Sequence, residues 1–179
     1  SSGSYNLVII PYNMWKYGGT PTMIDLGSQP VSAPTLLSNG LVAVNTKDGL
    51  KIINVTSKTV IGSFVGIGVV GRPVVDSSDV IYVFDKDGKV NALSANNKLW
   101  TTEIAINGST LALDEENSAL YTVGSDGNVY KIDIFNKFLT TFLIHFYSMY
   151  TCVVAKIFEK FLQNFAFLFS GGCAEKNNF

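Results

Sequence analysis

The chain has 179 residues, with 13 Lys and Arg against 14 Asp and Glu, a net charge of −1 and only 15% charged residues. That balance carries no basic footprint, so nucleic acid is excluded as an expected partner. Hydrophobic residues reach 47%, enough for a core spread over several sheets, and they concentrate toward the C-terminus.

The chain opens on Ser1-Ser2-Gly3-Ser4 without a methionine, and residues 1–12 read as a tag or the remnant of a preceding repeat unit. Asn13 to Lys16 and Thr22 to Leu26 are predicted as two strands joined by a turn at Gly18-Gly19. A first full unit, near 34–72, starts at Pro34 and predicts strands over 41–44, 51–54 and 60–64, with Asp48-Gly49 between the first two. The second, near 73–108, predicts strands over 73–76, 80–84, 89–93 and 99–104, turning at Ser77-Ser78-Asp79, Asp87-Gly88 and Ala95-Asn96-Asn97. Its 80–84 segment is continuously apolar, the pattern of a strand buried on both faces. The third, near 109–144, places Asp126-Gly127 between strands over 119–123 and 129–133.

The three Asp-Gly pairs are evenly spaced: 88 − 49 and 127 − 88 are both 39. Asp and Gly tolerate the backbone of tight hairpins, and strands recurring at a period near 40 are the mark of β-propeller blades. The expected fold is therefore all-β, with about three to four four-stranded antiparallel blades over residues 13–144. A ring closes with four to eight blades, so this length predicts an incomplete ring. Apolar faces are then expected on the terminal blades at Val42, Val44, Leu120 and Tyr121.

The run Asp-Gly-x-Val-x-Ala-Leu, closed by Trp100, resembles the quinoprotein-type (pyrroloquinoline quinone-like) propeller repeat. Asp87, Gly88, Ala92 and Trp100 carry the likeness in the second unit, Asp126, Gly127, Tyr130 and Asp133 in the third, and Asp48 and Gly49 in the first. Ser94 stands where the family usually has Asp and Asn97 where it has Gly, while Val60 and Leu139 are read at the Trp position of the other units. The Gly-His and Trp-Asp marks of WD repeats and the paired glycines of kelch repeats are missing.

The resemblance implies two functions of different class. One is a non-catalytic scaffold that binds a protein or peptide through inter-strand loops or exposed strand edges, like the quinoprotein-like propellers of outer-membrane protein assembly or lumenal sensing. The other is a fragment of an alcohol or sugar dehydrogenase holding pyrroloquinoline quinone and calcium at the propeller axis. Such dehydrogenases commonly carry an adjacent cysteine pair, which this chain lacks. The scaffold is the preferred expectation, with no cofactor. No catalytic, cofactor-binding or metal-binding residue is assigned.

Other motifs have plainer explanations. Gly66-Ile67-Gly68-Val69-Val70-Gly71 spells the phosphate-cradling G-x-G-x-x-G, but a strand rather than a helix follows, so a flexible inter-blade loop is expected. Asp85-Lys86-Asp87-Gly88 has calcium-loop spacing without the later ligands and reads as a solvent-facing hairpin. Asn54-Val55-Thr56 and Asn107-Gly108-Ser109 are glycosylation sequons that matter only in a secretory compartment. Trp100 reads as an inter-blade packing residue.

Residues 138–155 carry no charge, which makes them a membrane-span candidate. A competing reading takes 137–144 as the last strand of the third unit and 145–179 as an atypical apolar tail, with helical spacing over 157–169. His145 is the single histidine, and Cys152 and Cys173 both fall in this tail, so neither a hydrolase set nor a zinc or disulfide framework is expected.

Overall fold

The structure, a computed structural model, describes residues 4–137 and 139–142. The apolar tail, its two cysteines and His145 lie outside those residues. Among the described residues no helix is long and apolar enough to cross a membrane.

Strands β1 (Asn6–Ile9) and β2 (Thr22–Asp25) form an antiparallel two-stranded sheet, with a one-turn helix α1 (Met14–Tyr17) in the connection. This corrects the strand expected from Asn13 to Lys16. The Asn13 carbonyl accepts the N–H groups of Lys16 and Tyr17, Pro11 accepts that of Met14, and Gly18 closes the turn at φ 74. A glycine in the left-handed region ends a helix without steric cost, so these local bonds outcompete pairing with β2, which β1 takes instead.

Three four-stranded sheets follow, each a simple meander of antiparallel neighbours. The first blade is β3 (Thr35–Leu36), β4 (Leu41–Thr46), β5 (Gly49–Asn54) and β6 (Thr59–Val65). The second is β7 (Ile67–Val75), β8 (Ile81–Asp85), β9 (Val90–Leu93) and β10 (Lys98–Thr101). The third is β11 (Ala112–Asp114), β12 (Ala119–Val123), β13 (Val129–Asp133) and β14 (Leu139–Phe142). Every Asp-Gly pair thus falls at the connection of the second and third strands of its blade, as the repeat predicts, with Gly49 already the first residue of β5.

Alternation along each second strand divides the core. Leu41 and Ala43 on β4 pack with Ile81, Val83 and Leu93 of the second blade, whereas Val42 and Val44 turn the other way onto Ile24 and Leu26 beside the hairpin. On β8, Tyr82 and Phe84 face Leu120 and Ile132 of the third blade. Strands buried on both faces need apolar side chains in unbroken runs, which is why 80–84 shows no polar alternation. Each side chain so buried contributes on the order of 1.5–3 kcal/mol.

These contacts correct the apolar faces expected on the terminal blades. Val42 and Val44 are only 8% and 2% exposed under the N-terminal hairpin, and Leu120 is fully buried against the second blade. Tyr121 is half-buried on the opposite face of β12, where burial raises its hydroxyl pKa.

Of the G-x-G-x-x-G segment only Gly66 makes the turn between the first and second blades. The rest is not a loop but belongs to β7, whose pairing with β8 skips register twice, between Ile67 and Val70 and again between Val70 and Val74. Gly68 and Gly71 sit in these bulges at φ 77 and 70. A Cβ on Gly68 would lie 2.5 Å from Asn45 Oδ1, and one on Gly71 would lie 2.1 Å from the Ser109 carbonyl. The glycines therefore let β7 lie against the Asn45 and Leu50 side chains of the first blade and against the backbone at Ser109.

Candidate binding site at the inner edge of the blades

The repeat-signature residues build turns and core rather than a shared site. In the second and third blades the hairpin has a three-residue loop: Asp85 N–H bonds to the Lys89 carbonyl and Gly124 N–H to that of Asn128, with Gly88 and Gly127 at φ 76 and 79. In the first blade Thr46 pairs directly with Gly49 across Lys47-Asp48, and Gly49 has φ 146. One fewer loop residue shifts the register of β5 by one. Leu50 rather than Lys51 then takes the place of Val90, and the core stays apolar.

The aspartates differ in role. Asp126 accepts from Asn128 N–H, Asn128 Nδ2 and Tyr130 Oη, and those bonds hold its carboxyl below the usual range while lifting the Tyr130 hydroxyl. Asp87 instead ion-pairs with Lys86 at 3.2 Å on the surface, and the neighbouring Asp85 organises that turn through Asp87 N–H, Lys89 N–H and Asn91 Nδ2. Asp48 is exposed, and its N–H meets Ser28 Oγ at 3.3 Å. Asp133 accepts from the N–H groups of Phe135 and Asn136 to turn the chain after β13.

Ala92 is fully buried opposite Trp100, whose ring lies 5.9 Å from that of Tyr82 in the core between the second and third blades. Followed through the ladders, the position of Trp100 is filled by Gly62 in the first blade and Thr140 in the third. Val60 and Leu139 lie beside it, because bulges in the outer strands break the 39-residue spacing.

Two devices escape motif reading. Along one rim, Ser38 donates its N–H and Oγ–H to Asp79 of the next blade, each at 2.7 Å, and Ser77 donates its N–H and Oγ–H to Glu115 of the blade after that. The hydroxyl and amide donors hold both carboxyls below their ordinary values. The serines are one repeat apart, 77 − 38 being 39, a signal available in the sequence.

The second device is at the inner edge. The first strands β3 and β11 both pack against β7, and together they border a groove of about 460 Å³ lined by Thr35, Arg72, Pro73, Val74, Val75, Thr110 and Leu111. Arg72, the single arginine of the chain, is braced there. Its Nε donates to Thr35 Oγ1 at 3.1 Å and its Nη2 to the Pro34 carbonyl at 3.4 Å. The Thr35 hydroxyl in turn donates to the Pro73 carbonyl at 2.9 Å, which locks both partners across the blade boundary.

The groove does not fit a quinone and calcium pair. Its lining carries one cation and no carboxylate, whereas calcium takes six to eight oxygen ligands rich in carboxylates. Among the described residues no three His, Cys, Asp or Glu side chains gather as a metal site.

No family model and no curated protein matches the chain. Among solved structures it is similar to BamB from Moraxella catarrhalis, at a TM-score of 0.55 and 17% identity over 66% of this chain. It is equally similar to the WD40 repeats of RRP9, at a TM-score of 0.56 and 13% identity over 66% of the chain. The matches span 38% and 40% of those chains, so the protein covers well under half of either. Likeness at this identity, to propellers of two different repeat types, establishes the fold and leaves the family open. The chain is built of β-propeller blades.

Proposed function

We infer that this chain is a protein-binding scaffold, a propeller module of the quinoprotein-like type working without a cofactor. The observation that carries this reading is the outer strand β6. It runs seven residues, Thr59–Val65, bears no charge, pairs on one side with β5, and leaves Val60, Ile61 and Val65 at 39%, 44% and 81% exposure. Natural edge strands are commonly blunted by lysines, prolines or short length. A long uncharged edge is suited to receive an extended partner segment by strand addition. The repeat signatures support the quinoprotein-like assignment, and the groove's donor set argues against the dehydrogenase alternative.

Photo-crosslinking from a reactive residue placed at Ile61 tests the reading. A discrete crosslinked partner, lost when Ser63 is replaced by Pro, is expected. Labelling that does not change with Ser63→Pro would overturn edge binding. Reconstitution of the full chain with pyrroloquinoline quinone and calcium is expected to give no dye-linked alcohol oxidation, and saturable turnover would restore the dehydrogenase reading.

A further inference from the structure

We propose that the inner-edge groove is a second contact of the scaffold, one that takes a carboxylate carried on an apolar segment of the protein partner, with Arg72 as the recognising group. The proposal rests on the scaffold reading.

Guanidinium has five N–H donors. Thr35 Oγ1 and the Pro34 carbonyl occupy two of them. Both Nη1 donors and one Nη2 donor remain without a protein acceptor among the described residues. One Nη1 donor and the free Nη2 donor form the end-on fork that binds a carboxylate through two parallel bonds. The one ion pair among the described residues, Lys86 with Asp87, is at a different turn, so no internal acid neutralises Arg72.

The surroundings define the rest of the ligand. Pro73, Val74, Val75 and Leu111 present apolar walls, and Pro73 adds no N–H of its own. A carboxylate with an apolar body therefore fits better than a phosphate or a polyanion, which would need several cations. Arg72 is exposed, and a single exposed charge pair contributes little on its own. A free small acid would be held weakly there. A partner segment, whose other contacts already cover their own association cost, can use the pair for register and specificity.

The bracing of Arg72 is part of the argument. Its two bonds reach from β7 to the first blade across the blade boundary, so the guanidinium plane is set before a ligand arrives. Preorganisation of this kind lowers the entropy cost of binding.

The test uses the full 179-residue chain and two acetylated, amidated pentapeptides, Val-Leu-Glu-Leu-Val and Val-Leu-Gln-Leu-Val, by fluorescence anisotropy. The Glu peptide is expected to bind about threefold more tightly than its Gln counterpart. Arg72→Gln should erase that difference and Arg72→Lys should keep part of it, with unchanged thermal melting showing that both variants fold. Equal binding of the two peptides, no saturation by the Glu peptide at millimolar concentration, or a preference that survives Arg72→Gln would each overturn the proposal. Displacement of the Glu peptide by an equal concentration of hexanoate would assign the groove to free acids and overturn the partner-segment reading. Crosslinking at Ile61 is independent of all these outcomes, so the scaffold reading stands or falls separately.

Discussion

The second and third blades have matching hairpins and the same strand order, yet they bury their second strands differently. On β8, Ile81, Tyr82, Val83 and Phe84 are all 2% exposed or less. On β12, Ala119 and Leu120 are fully buried while Val123 is 57% exposed. An unbroken apolar strand is thus only a capacity for two-sided burial. Packed blades on both sides convert it into stability, and the same side-chain type is core in one blade and surface in the next.

The largest expected effect breaks that contrast directly. Phe84→Ala removes a ring packed onto Gly108 and the third-blade core, and it should lower unfolding free energy by about 3–5 kcal/mol in urea denaturation. Val123→Ala in the equivalent strand should change it by under about 0.5 kcal/mol. Similar losses at the two positions would mean that the blades are equally covered.

The hairpins sharpen the comparison at smaller magnitude. A Cβ on Gly49 would meet the Phe64 carbonyl at 2.0 Å, and its φ of 146 disfavours any other residue, so Gly49→Ala should cost about 2–3 kcal/mol. Gly127 has nothing within 4 Å of a built Cβ. Its left-handed backbone alone predicts a loss of about 1 kcal/mol for Gly127→Ala. Equal midpoint shifts for the two variants would show that backbone strain, rather than close approach, governs both turns.

The smallest effect is on the rim. Folding lowers the pKa of Asp79 and Glu115 from ordinary values of 3.8 and 4.5. Their contribution is therefore present above those values and is lost as pH falls through the lower folded ones. Urea midpoints of the parent chain should decline on acidification below about pH 4. The doubly substituted Asp79→Asn, Glu115→Gln chain should decline less steeply. Parallel acid limbs would show that the serine–carboxylate staples add nothing to blade docking. Both carboxylates are at the surface, so this slope should be shallow beside the effect of Phe84→Ala.

Local chemistry was enough for the blades. Asp-Gly pairs at a constant spacing and the apolar runs on either side of them identify strand, turn and strand, because the left-handed glycine and the unbroken apolar strand each act within a few residues. The same local reasoning failed from Asn13 to Lys16, where a four-residue segment took helical bonds and an earlier segment, Asn6–Ile9, supplied the strand. It also misplaced the equivalents of Trp100, since bulges change register without changing composition.

What the sequence determined by itself is the repeating unit: its length, its turns, and the residues that alternate between two buried faces. The tertiary structure alone decided which faces are covered, that Val42 and Val44 lie under a hairpin, and that Arg72 stands in a groove with Thr35 as its brace. Strand and turn preferences are set by neighbours in the chain, whereas the groove joins residues 35, 72 and 111 from three blades. Their proximity depends on how blades dock, through glycine bulges and inter-blade side-chain contacts that no local period encodes.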